Sequence, residues 1–382
     1  MRPGRLNLRA DTERVTDDGS AARLTSNLRP DNPGMRGERD VIARIRARVP
    51  AAPPWLLVGI GDDAAVVKPE RGALEVLTTD GLIEGVHFER RFSGPREIGW
   101  KALAVNLSDI AAMGGTPRLA LLSLALPASA SDAEVDAILD GFLALAAESR
   151  VTLAGGNITR SPGPLMIDVT VVGFARARHI LTRSGGRAGD DLYVTGEIGA
   201  AAAGLSFLQR QETGDAKEPR DPTQPRDARG PQAAENIGGM AACVRRHCAP
   251  EPRLRIGALL GRNRAATACM DLSDGLADAV RQIAEASGTG AAIDAAALPI
   301  PSAARQWYGL AGIDPILAAT AGGDDYELLF SAPRRARGRL ATVTRQARGI
   351  PITRIGQLTK EPPIVLVRDG VPEPLPRGFV HF

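Results

Sequence analysis

The residues best placed to do chemistry are aspartates at the ends of apolar runs. They are Asp62 and Asp63 in GIGDDA, Asp80 in LTTDG, Asp109 in NLSDIAAMGG, Asp271 and Asp274 in MDLSDG, and Asp324 and Asp325 in GGDDYEL. Singly, each fits an ordinary structural role: Asp before Gly makes turns, and Asp before a helix caps it. Together they place carboxylates repeatedly where strands end and helices begin, which is where ligands gather in α/β folds. Carboxylates that converge without Lys partners repel one another unless divalent cations sit between them. Hard Mg²⁺ ions, bridging the carboxylates to the phosphates of a nucleotide, satisfy that arrangement.

Phosphate also needs donors. GGTPR (114–118), LAGGNITR (153–160) and LTRSGG (181–186) set glycine N–H groups beside Arg118, Arg160 and Arg183. Read as turns, these segments let phosphate oxygens approach the backbone and meet a guanidinium fork. Other chemistries are poorly supported. GIGDDA matches a dinucleotide fingerprint in letters, but AAVVKP follows it where a helix is required, and two aspartates would repel phosphate. No G-x-x-x-x-G-K-[ST] run occurs. Cys243, Cys248 and Cys269 form no CxxC pair, and His87, His179, His247 and His381 are scattered. That argues for reduced thiols in a cytoplasmic protein, without a disulfide framework or a zinc site.

The elements that must position these residues are legible in outline. The chain has 382 residues, 44% hydrophobic and 24% charged, enough for two globular domains. A formal net charge of +3 and 4% aromatics argue against nucleic-acid binding, and no apolar run reaches the length of a membrane span. Residues 1–35 read as a disordered tail. A helix begins near Glu38 and stops at Pro50, Pro53 and Pro54. Strands are expected at 55–58, 64–67, 74–79, 119–127 and 165–175, with helices at 98–113 and 131–149. The pattern changes near 178. Strands are then expected at 191–196, 268–272, 290–294, 326–331 and 352–358. Helices are expected at 199–211, 276–287 and 334–347, with short ones up to about 320. Residues 213–235 are rich in Pro, Gly and charge and read as a mobile insert. The fold class is therefore α/β (α+β), with domains at 36–178 and 179–382.

Taken in order, GIGDDAAVV, LTTDGLIEGVHF, WKALAVNLSDIAAMGGTP, LAGGN, LTRSGGRAGDDLYVTG, MDLSDGLADAV and GGDDYELLF give a further clue. The chain resembles the thiamine-monophosphate kinase family. That family shares a superfamily with aminoimidazole ribonucleotide synthetase, selenophosphate synthetase and the hydrogenase-maturation dehydratase. The resemblance runs from about residue 36 to the C-terminus, apart from the insert. It implies an N-terminal ATP- and Mg²⁺-binding domain forming a barrel in a homodimer, followed by a C-terminal α/β domain. It implies Mg²⁺ ligands at Asp63, Thr78, Thr79, Asp80, Asp109, Asn157, Asp271 and Asp274, with Asp80, Asp109 and Asp274 as the catalytic set. It implies ATP contacts at Gly155, Gly156, Asn157, Arg183 and Ser273, and thiamine monophosphate at His87, Asp324 and Phe379. Two positions depart from the family pattern: Asn157 stands for Asp, and Asp324 stands for Glu. The implied reaction is direct in-line transfer of the ATP γ-phosphoryl group to thiamine monophosphate, with no protein nucleophile. The rival readings are another ATP-dependent enzyme of the superfamily, such as aminoimidazole ribonucleotide synthetase, or an ATP-binding regulator without catalysis.

Overall fold

Long apolar runs broken by Gly and Pro build the first half of the molecule. The computed structural model describes residues 38–216 and 238–378. The expected tail, residues 217–235 of the expected insert and Phe379 lie outside the described residues. The elements are α1 (Glu38–Arg48), β1 (Leu56–Val58), β2 (Val66–Val67), β3 (Leu74–Ile83), α2 (Pro95–Ala112), β4 (Thr116–Pro127), α3 (Asp132–Ser149), β5 (Thr152–Ser161) and β6 (Met166–Ala175). β1 and β2 form a small antiparallel pair, and no helix follows GIGDDA. The other four strands form one sheet in the order β3-β6-β4-β5. Only β4 and β5 run parallel.

Helices α2 and α3 cover one face of this sheet. They cross so closely that a Cβ at Gly99 would stand 1.8 Å from the Ile138 carbonyl, and one at Gly141 would stand 1.8 Å from that of Arg96. Helix α2 starts three residues before the apolar pattern does, because Pro95 is suited to a first turn and the Glu97 carboxylate accepts the Gly94 N–H at 2.8 Å. From Ile98 to Ala112 it is almost wholly buried. A helix surrounded in this way must lie within the core rather than upon it.

The second half comprises β7 (Asp191–Thr195), α4 (Ala200–Ala216), α5 (Met240–Cys248), α6 (Leu254–Asn263), β8 (Ala268–Asp271), α7 (Leu276–Ser287), β9 (Gly290–Asp294), α8 (Ser302–Leu310), α9 (Pro315–Ala321), β10 (Leu328–Ala332), α10 (Arg337–Gln346), β11 (Ile352–Thr359), β12 (Ile364–Arg368) and β13 (Val371–Pro374). Its seven strands form a sheet in the order β13-β12-β9-β11-β7-β10-β8. Helices α5 and α6 and strands β12 and β13 are additions to the outline drawn from patterning. Both helices bury one face, Met240, Cys243 and His247 of α5 and Ile256, Leu259 and Leu260 of α6, whereas the two strands are only five and four residues long. One hydrophobic cluster fills each sheet's core. A third joins Ala111 and Ala112 of α2 to Leu260 of α6 and Val343 of α10.

The segment LAGGN corrects an expectation. It is strand, not a phosphate-cradling turn: Gly155, Gly156 and Asn157 pair with Leu121, Leu122 and Ser123 of β4. A Cβ on Gly156 would stand 1.8 Å from the Leu122 carbonyl, so glycine serves strand approach here.

Candidate active site

Strand β3 sends alternate residues to opposite faces. Val76 and Leu82 are buried in the core, and Thr78 lies on the same side, where its hydroxyl donates to Asp109 Oδ2 on α2. Asp80, on the same face of β3, lies near enough to Asp109 for the two carboxyl groups to perturb each other. One turn of α2 presents Ser108 beside Asp109. Ser108 Oγ donates at 2.6 Å to Asp271 Oδ2, at the buried end of β8. Thus one helix joins the middle of β3 to the end of β8, two strands from different sheets.

The charges in this group are poorly balanced. Burial, then the charges of Asp109 and Asp168, push the Asp80 carboxyl up to about 7. Burial, then Asp109, pushes Asp271 up to about 7. Burial also raises Asp109, although Thr78 and the Arg183 guanidinium oppose it. Asp274 adds its charge to Asp80. The group therefore keeps protons near neutrality that a divalent cation would displace. Its donors are hydroxyl and carboxyl oxygens, the set that suits Mg²⁺. Among the described residues, no three His, Cys, Asp or Glu side chains form a ready-made metal site. Such a layout suits ions that take one or two carboxylates each and complete their shells with water and phosphate.

A cavity of about 410 Å³ opens beside the group. Thr78, Asp109, Asp271 and Arg183 give it a polar side, and Ile110, Met113 and Ile180 an apolar one. The Arg183 guanidinium also donates to Gln282 Oε1 on α7. Ser273 lies on the loop after β8, where its carbonyl accepts the Asp324 N–H at 2.8 Å. The β8–β10 ladder continues there through Leu272, Tyr326 and Glu327, so MDLSDG and GGDDYEL fold against each other.

The two acids of GGDD point to different tasks. Asp325 is buried and accepts from the N–H groups of Gly199 and Ala201 at 2.6 and 3.2 Å, which caps α4. Burial nevertheless pushes it up to about 8. Asp324 is paired with Lys101 at 2.9 Å. Burial works against its charge, but the Lys101 ammonium and neighbouring His247 hold it well below the usual carboxylate range. Lys101 also donates to the His87 carbonyl at 3.1 Å, so His87 and Asp324 come together through it.

Other expected residues stand apart. Thr79 faces the opposite side of β3 and donates weakly to Asp168 Oδ1 at 3.4 Å. Asn157 is exposed on β5, three strands from β3 and so roughly 14 Å away across the sheet. Asp63 lies on the exposed β1–β2 loop, where its N–H donates to Asp62 Oδ1 at 2.9 Å. Arg118 stacks on Trp55, 4.2 Å from the ring centre. Two residues that the motifs did not mark act on these groups. Asp168 lies inside β6 on the Thr79 face of the sheet and raises Asp80 by its charge from there. Lys101 is the one ionisable residue in the apolar run WKALAV, which was its signal.

The comparisons with known proteins cover most of the chain. Residues 61–175 match the family model for the AIR synthase related protein N-terminal domain, and 187–369 match that for its C-terminal domain. A thiamine-monophosphate kinase of Escherichia coli strain K12 is 37% identical over 353 residues, covering 91% of this chain and 98% of that protein. The crystal structure of a thiamine-monophosphate kinase from Stenotrophomonas maltophilia K279a is 36% identical with a TM-score of 0.73, covering 87% of this chain and 97% of that one. The structure of AaThiL complexed with AMPPCP and TMP is 31% identical with a TM-score of 0.67, covering 91% and 99%.

Proposed function

The chain belongs to the thiamine-monophosphate kinase family, and from that premise we propose how its residues carry the reaction. The activity is ATP-dependent phosphorylation of thiamine monophosphate to thiamine diphosphate. The observation that carries the reading is the unbalanced carboxyl group of Asp80, Asp109, Asp271 and Asp274 beside the cavity lined by Arg183. Thr78 and these four aspartates are the candidate Mg²⁺ ligands. When bound, Mg²⁺ neutralises phosphate charge and makes the γ-phosphorus easier to attack. Arg183 supplies a fixed positive group on the cavity wall for the transferred phosphoryl oxygens. Ser273 and Arg183 are the candidate ATP contacts, and His87 and Asp324 the candidate contacts to thiamine monophosphate. Asp63, Thr79 and Asn157 stand apart from this group, and no part in it is assigned to them.

An acceptor phosphate oxygen forms the new bond to the γ-phosphorus as its bond to the β,γ-bridging oxygen breaks, leaving ADP. Phosphate monoesters have a second pKa near 6, so the acceptor is already largely dianionic at neutral pH and needs no protein base. The chain's work is orientation and charge balance.

We also propose a homodimer in the cytoplasm. The face of the four-stranded sheet away from α2 and α3 exposes Leu77, Leu121 and Met166, which supports pairing of two such sheets into a barrel. The three cysteines are unpaired and buried, as suits a reducing compartment. No helix among the described residues is long and apolar enough to cross a membrane.

The decisive test is purified protein with MgATP and either thiamine monophosphate or formylglycinamidine ribonucleotide, with products identified by mass. Thiamine diphosphate and ADP are expected from the first alone. Turnover of the second would transfer the chain to the aminoimidazole ribonucleotide branch, and ATP binding without product would make it a regulator.

A further inference from the structure

Lys101 is an ionisable side chain that the mechanism above leaves unused. It lies in the middle of α2 and is 2% exposed. An ammonium buried to that degree is costly unless it is paired and hydrogen-bonded. Its Nζ has two partners from separate parts of the chain: the His87 carbonyl at 3.1 Å and Asp324 Oδ2 at 2.9 Å.

Both partners are held on their other sides. The Ile83 N–H donates to His87 Nδ1 at 3.1 Å, so the ring and the carbonyl of His87 are each fixed. Tyr326 Oη donates to Asp324 Oδ1 at 3.1 Å. His247 Nδ1 is buried 3.5 Å from Asp324 Oδ2 without making a hydrogen bond among the described residues. Asp324 and Tyr326 both have positive φ, 68° and 49°, a conformation that L-residues keep only when their surroundings enforce it. Lys101 is thus the group that touches both residues read as contacts to thiamine monophosphate.

We propose that Lys101 is a positioning residue for the acceptor site, setting the His87 loop and the Asp324 carboxylate in one geometry with a single ammonium. This rests on the reading that His87 and Asp324 meet thiamine monophosphate. It also changes what Asp324 contributes. Its charge is already balanced by Lys101, so Asp324 orients the acceptor by accepting a hydrogen bond and is not a free counter-charge for the thiazolium ring. Selection of the acceptor then depends on the fixed spacing of His87 and Asp324.

The test measures KM for thiamine monophosphate and for MgATP separately in Lys101→Met, Asp324→Asn, His87→Ala and the double variant Lys101→Met/Asp324→Asn. A site built to hydrogen-bond its substrate loses heavily when that geometry is disturbed, so Lys101→Met should raise KM for thiamine monophosphate by about tenfold or more. KM for MgATP should stay within about twofold, a separation that a general loss of packing would not give. If the single variant fails to fold, the double variant removes both members of the ion pair and carries the same test. Groups acting as one unit are not additive, so the double variant should lose no more than about the worse single variant. Equal effects on both KM values, or additive losses, would overturn the proposal. So would an unchanged KM in Lys101→Met while Asp324→Asn and His87→Ala raise it. An unchanged KM for thiamine monophosphate in both Asp324→Asn and His87→Ala would instead remove the acceptor from this place, and the role of Lys101 with it.

Discussion

Asp324 and Asp325 are neighbours of one residue type in opposite states. Asp324 is charged against Lys101, and Asp325 is a buried cap raised to about 8. The linkage sign follows for Asp325. Its folded value lies above the unfolded one, so its contribution to stability is full below about pH 4 and is lost as pH rises through about 8. Asp325→Asn keeps an acceptor oxygen for one of the two N–H groups and does not titrate. Thermal melts from pH 5 to pH 9 should therefore show a smaller decline in the variant than in the parent. Parallel curves would place the titration elsewhere. In the carboxyl group at the cavity, Asp80→Asn, Asp109→Asn and Asp274→Asn should each cut kcat by at least about a hundredfold. Their metal-free melting temperatures should hold or rise, because each removes a repelling charge. Near-parental kcat at saturating Mg²⁺ would take that residue out of the site. The acids themselves were legible in the sequence, but only Asp271 ends its element; Asp80 and Asp109 lie inside β3 and α2. Asp168 was not legible: sequence spacing says nothing about which residue a strand will set beside β3.

Helix α2 shows why element type was easier to read than element role. Its apolar run announced a buried helix, and its start was misplaced only because Pro95 and Glu97 begin it outside that run. The close crossing with α3, and the delivery of Lys101, Ser108 and Asp109 to three different partners, depend on tertiary contacts. Strand β5 is the sharper case. Two adjacent glycines and an Asn carry the letters of a turn, yet pairing with β4 overrode that local preference. Gly156→Ala should then cost more than about 2 kcal/mol in urea unfolding, since the new Cβ meets a backbone carbonyl rather than a movable side chain. Asn157→Asp should leave both stability and the Mg²⁺ concentration for half-maximal rate within about twofold, given its distance from β3. A clear fall in that concentration would return Asn157 to the metal site.

At the scale of the whole molecule, the outer face of the four-stranded sheet is covered by the β1–β2 pair over Leu119 and Ala154 and stays open, among the described residues, around Leu77, Leu121 and Met166. Leu77 is 65% exposed there. Sedimentation velocity should find a dimer at micromolar concentration, and Leu77→Lys with Leu121→Lys should convert it to a monomer, since paired like charges oppose apolar burial. A parent that sediments as a monomer would refute the pairing. The unbalanced carboxyl group has a consequence of another kind. A cleft that retains protons to tolerate its own charge also screens what enters it. Nucleotide without a bound cation brings more negative charge to an already negative mouth and is turned away, whereas the cation-complexed form arrives partly neutralised. Excess uncomplexed ATP should therefore slow the reaction by drawing ions away rather than by competing for the cleft, and restoring Mg²⁺ should restore the full rate. The output of such a catalyst follows the ratio of magnesium to nucleotide in its surroundings, not the amount of nucleotide alone.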